Sequence, residues 1–107
     1  MIDTMPDVKR ALELLDAMDA RLVAVGHGRD ERSVAAGRAF HAAWPYDVAV
    51  VVDWPPTAAS WLRPAQRLTA AAADAWVIAD TSEGWANVER RLRETGRWDP
   101  MRTVVLR

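Results

Sequence analysis

One stretch constrains the fold more than any other: Tyr46-Asp47-Val48-Ala49-Val50-Val51-Val52-Asp53-Trp54-Pro55-Pro56. It holds the most continuous apolar run in the chain, follows a helical segment, and stops at an acid, a tryptophan and two prolines. A β-branched run without polar alternation predicts a strand buried on both faces, and such strands belong to parallel sheets covered by helices. Residues 48–52 are therefore expected to form a central strand.

The rest of the chain alternates accordingly. A first helix is expected over residues 6–20, capped by Asp3 or Thr4, with Val8, Ala11, Leu12, Leu15 and Met18 on one face. Arg21-Leu22-Val23-Ala24-Val25 reads as a short buried strand ending in the turn Gly26-His27-Gly28. Asp30 or Ser33 would cap a second helix over residues 31–44, stopped by Pro45. After the opening stretch, Thr57 can cap a short turn, and a new helix is expected at Pro64, because a proline inside a helix removes a hydrogen bond and clashes with the preceding turn. Ala75-Trp76-Val77-Ile78-Ala79 is the third strand. Ser82 would cap the last helix, with Trp85, Val88 and Leu92 inward and Gly96 as its C-cap. Arg102-Thr103-Val104-Val105-Leu106 is the fourth strand. This alternation predicts an α/β fold: one three-layer domain over residues 1–107, a four-stranded parallel sheet flanked by helices, Rossmann-like or flavodoxin-like.

Composition narrows the function. A chain of 107 residues, half of them hydrophobic, can fill one core. The formal charge of −1, with 13 arginines and the single lysine Lys9, creates no global field for nucleic acid or an anionic membrane. Without cysteine there is no disulfide framework, thiol nucleophile or thiolate metal site. Charges interrupt every apolar stretch before it could span a bilayer. Met1-Ile2-Asp3-Thr4-Met5-Pro6-Asp7 lacks an apolar signal core, so a cytoplasmic location is expected for the chain as given.

In an open α/β sheet, ligands bind outside the carboxyl ends of the strands. Three turns leave those ends, and they supply the candidate ligand-binding residues Gly26, His27, Gly28, Asp53, Trp54, Asp80, Thr81 and Ser82. Each has a structural role to set against binding. His27 suits a turn, Asp53 a cap, and Asp80, Thr81 and Ser82 suit helix capping; Trp54 and Trp85 either stack on a ligand or bury area. His41 and the pair Arg90-Arg91 are read as helix surface. Enzyme templates fit poorly. No Walker-type loop or G-x-G-x-x-G follows a strand, no nucleophile elbow supports a Ser82, His27 and Asp53 set, and the two histidines lack helical metal spacing. No catalytic residue, metal or cofactor is therefore expected.

Three families resemble parts of the chain. The widest resemblance runs from about Leu12 to Leu106 and carries Asp74-Ala75-Trp76-Val77-Ile78, similar to the Asp-Ala-apolar strand that recurs in type I periplasmic-binding proteins. The chain resembles one lobe of such a protein, of the branched-chain amino acid-binding or sugar-repressor effector type. The resemblance implies non-catalytic recognition of a small molecule or protein partner by the loops at residues 26–30, 53–54 and 80–82. A single lobe with uncovered edge strands also suggests a homodimer. The opening stretch is similar, in addition, to the strand of a two-component receiver that ends in the phosphoacceptor. That resemblance implies Asp53 as acceptor, Thr81 or Ser82 as switch hydroxyl and Asp3 for the acidic pair, with Arg107 where a lysine is expected. Finally, Leu22-Val23-Ala24-Val25-Gly26-His27-Gly28-Arg29-Asp30 is similar to the opening of sirohydrochlorin-type chelatases, which implies a metal-handling His27.

Overall fold

A computed structural model of the chain describes residues 5–57 and 60–106. Helix α1 (Met5–Ala17) leads into β1 (Leu22–Gly28), followed by α2 (Glu31–Ala43), β2 (Asp47–Trp54), α3 (Leu62–Ala70), β3 (Ala75–Ala79), α4 (Ser82–Thr95) and β4 (Thr103–Leu106), with a 3-10 turn at Pro100–Arg102 before the last strand. The four strands are parallel and lie in the order β2-β1-β3-β4. Helices α1 and α2 cover one face through Val8, Leu15 and Phe40, and α3 and α4 cover the other through Leu68, Val88 and Leu92. The three-layer α/β architecture expected from the sequence is the one the chain forms.

The opening stretch takes a different place from the one expected. β1 and β3 are the central strands, and β2 is an outer one. A β-bulge explains the misreading. Val23 pairs with Val48, but Ala24 pairs with Val50, so Ala49 is an extra residue in β2. The insertion reverses the facing of everything after it. Val48 packs with the cluster under α2, whereas Val50, Val52 and Trp54 pack with the cluster under α3. Two half-buried segments in opposite phase therefore read as one unbroken apolar run. Val51 faces the α2 side, beside the recess lined by Gly37, Arg38 and His41, and is 42% exposed. The outer side of β2 pairs with no strand among the described residues, the geometry on which the dimer expectation rests.

Several boundaries shift by a few residues. Gly26, His27 and Gly28 are not a turn but the last residues of β1. Asp30, not Ser33, caps α2, its side chain accepting from the Ser33 N–H. Pro64 falls in the first turn of α3, where a missing N–H costs nothing, so the chain breaks before it as expected. Thr81 rather than Ser82 caps α4, accepting from the Gly84 N–H, and Gly96 closes that helix in the left-handed conformation at φ 69°. The candidate caps Asp3 and Thr4, and Arg107, lie outside the described residues.

Asp74 ties the amino ends of the central strands together. Its Oδ2 accepts from the backbone N–H groups of Arg21 and Leu22, both at 3.0 Å, and its own N–H donates to the Leu22 carbonyl at 2.7 Å. This gives the Asp-Ala-apolar pattern a physical reason: the acid closes the start of β1 and the alanine begins the buried strand. The two backbone bonds hold the Asp74 carboxyl below its ordinary range. Asp30 is lowered too, foremost by hydrogen bonding from the Ser33 side chain. A carboxyl with a depressed folded pKa stabilises fully above its unfolded value and loses that contribution as pH falls through the folded one. Stability should therefore hold from neutral pH down to the ordinary aspartate value of about 3.9 and then fall. Urea unfolding across this range should show a shallower acid limb in Asp74→Asn; an identical limb would contradict the assignment.

Candidate ligand-binding site

The carboxyl edge of the sheet is built around Asp80. The residue follows β3, and its carboxylate lies against the backbones of Gly28 and Gly84, where any Cβ would collide with it. Asp80 Oδ2 accepts from the Trp54 indole Nε1–H at 2.6 Å, and Oδ1 accepts from the Thr81 N–H at 2.8 Å. The Trp54 bond crosses β1, because β1 lies between β2 and β3. The Trp54 ring lies directly over Gly26, with Cη2 and Cζ3 each 2.7 Å from the position a Cβ would take. Both β1 glycines are thus needed for an internal reason: one admits the tryptophan ring and the other the carboxylate.

Beside Asp80 opens a cavity of about 320 Å³. It lies at the switch point of the sheet, where the turn after β1 leads to α2 on one face and the turn after β3 leads to α4 on the other. Val8, Ala36, Ala79, Trp85, Val105 and Leu106 supply apolar walls. Asp7, Asp30, Arg32, Ser33, Asp80, Thr81 and Ser82 supply the polar ones. The three carboxylates against one guanidinium leave this lining negative. The two helix N-termini at the cavity already have internal acceptors, Asp30 for the Ser33 N–H and the Thr81 hydroxyl for the Gly84 N–H.

Of the residues singled out from the sequence, Asp80, Thr81 and Ser82 meet at this cavity, and Gly28 backs Asp80. The others are elsewhere. Gly26 is buried, and Trp54, expected as a stacking surface, is 1% exposed with its N–H already bonded. Asp53 stands on the outer strand and pairs with Arg29 at 3.1 Å, the two side chains about half exposed. Thr81 follows β3, which β1 separates from β2. His27 lines a separate recess beyond α2. Asp7, Val8, Arg32, Ser33, Ala36, Val105 and Leu106 escaped sequence reasoning, because only the packing of α1 and α2 over the sheet brings them to the cavity.

No family model and no curated protein matches the chain. Solved structures do. An extracellular ligand-binding receptor from Rhodopseudomonas palustris superposes with a TM-score of 0.75 and 18% identity, covering 92% of this chain and 28% of the receptor. What the two share is the α/β fold. A second structure, from Rhodopseudomonas palustris strain CGA009, gives a TM-score of 0.75 and 17% identity over 92% of this chain and 29% of its own. The chain thus spans less than a third of the length of either neighbour. The cavity beside Asp80 lies at the carboxyl ends of β3 and β4. No helix among the described residues is long and apolar enough to cross a membrane.

Proposed function

We propose that the chain is a non-catalytic binding lobe that takes a small molecule with an apolar body and a basic group into the cavity beside Asp80. The observation that carries this reading is the cavity itself, about 320 Å³ at the switch point of the sheet, with an apolar floor and a carboxylate-rich rim. The lining argues against an anion, since Asp7, Asp30 and Asp80 face a single guanidinium, Arg32. That a structural neighbour is described as an extracellular ligand-binding receptor supports a binding role.

The test uses three probes of one shape: isobutylamine, isobutanol and isobutyrate, titrated calorimetrically into the full chain. The amine is expected to bind best. Asp30→Asn keeps an N-cap but removes the charge, and should weaken the amine by about two- to fivefold, the range of a solvent-screened ion pair. Ala36→Leu should fill the cavity and weaken all three. If no probe gives heat at millimolar concentration, or Ala36→Leu binds as the parent does, the reading fails.

A further inference from the structure

The chain has two histidines, fourteen residues apart, and the fold brings both to one recess. The recess has a volume of about 270 Å³ and lies beside the outer strand, lined by His27 of β1, by Gly37, Arg38 and His41 of α2, and by Val51 of β2. Helix α2 separates it from the cavity beside Asp80, which uses Arg32, Ser33 and Ala36 of the same helix.

The His27 ring has a defined orientation. Its Nδ1 lies 2.7 Å from the Gly28 carbonyl oxygen. A carbonyl only accepts, so Nδ1 carries the proton and the neutral ring keeps its lone pair on Nε2. This is the arrangement by which a backbone carbonyl orients a metal-binding imidazole. The Cδ2, Cγ and Cβ atoms of His27 lie 3.5, 3.6 and 3.7 Å from the position a Cβ on Gly37 would take, so this edge of the side chain packs against α2. One turn further along that helix stands His41, exposed and able to turn its imidazole into the recess.

We propose that this recess binds a borderline first-row divalent cation, such as Zn²⁺ or Ni²⁺, through His27 Nε2 and the His41 imidazole, with water completing the coordination. Imidazole suits these ions. No set of three His, Cys, Asp or Glu side chains among the described residues is placed to hold a metal. Asp53, beside His27 in the strand register, is engaged by Arg29. Two imidazoles therefore make the donor set, and the site is open and of modest affinity. Arg38 adds positive charge to the recess, so coordination rather than charge must hold the ion. Mg²⁺ and Ca²⁺, which need oxygen ligands, are excluded by the same chemistry. The absence of helical metal spacing concealed this pair, because the contact runs between a strand and a helix.

The test titrates ZnCl₂ or NiCl₂ into the full chain near neutral pH, read by calorimetry and by imidazole NMR signals, of which only two sets exist. One equivalent should bind, and both imidazoles should respond with a single shared midpoint. His27→Gln and His41→Ala, each checked for folding by circular dichroism, should each weaken binding at least about tenfold, while MgCl₂ gives no response. Separate midpoints, a folded single variant with unchanged affinity, or no heat at millimolar metal overturns the proposal.

Discussion

Replacing Trp54 by alanine should destabilise the chain by about 3–5 kcal/mol, the range for deleting a buried aromatic side chain. Trp54 is the largest of the fully buried side chains and packs with Ala65, Leu68 and Ile78 between β2 and the second helix layer. It is also the only part of the outer strand whose side chain bonds to β3's end, through the Asp80 carboxylate at 2.6 Å among the described residues. Truncation removes apolar area, opens a cavity and takes one donor from a partly buried carboxylate. Trp54→Phe separates these effects. It keeps most of the ring and loses the N–H, and should cost about 1–3 kcal/mol, the range for leaving a buried polar group short of a partner. Urea unfolding measures both. A loss below about 1 kcal/mol for Trp54→Ala would mean that β2 is held by its backbone bonds to β1 rather than by this side chain.

Gly26→Ala should be destabilising, although alanine in a strand interior ordinarily gains about 0.5–1 kcal/mol over glycine. The sign is decided by space. A Cβ at this position would stand 2.7 Å from two Trp54 ring carbons and 3.2 Å from Ile78 Cδ1. The ring cannot retreat freely, because its Nε1–H is held by Asp80. Overpacking of this kind costs about 1–3 kcal/mol and outweighs the intrinsic gain. In a Trp54→Ala background the two closest contacts are gone and only the end of the Ile78 side chain remains, at 3.2 Å, so Gly26→Ala should cost much less than in the parent. A double-mutant cycle should therefore show coupling of about 0.5–3 kcal/mol between the two positions. Additive effects in the cycle would remove this account of Gly26.

Much of the fold was legible because local chemistry and tertiary placement agree. Ala75–Ala79 reads as a buried strand and is one, with every residue buried. Gly96 takes the left-handed conformation expected of a helix terminator, and Val88 and Leu92 point into the core. Sequence reasoning failed where a distant residue sets the requirement. Gly26 and Gly28 resemble turn glycines, but Trp54 and Asp80 are what demand them. The bulge at Ala49 leaves no composition signal, since valine flanks it on either side. The site was half legible for the same reason. Asp80, Thr81 and Ser82 follow a strand and announce themselves, whereas Asp7 and Leu106 join them only through the packing of α1 against β4.

The Asp80 carboxylate belongs to two neighbourhoods at once. One oxygen restrains the indole of the outermost strand, and the residue also forms part of the cavity wall. A basic guest that draws on this carboxylate competes with Trp54 for it. Occupancy of the cavity is then coupled to fraying of a strand on the far side of β1, and by reciprocity a loosened edge alters the hold on the guest. Amide exchange along β2 would act as a remote gauge of whether the cavity is filled.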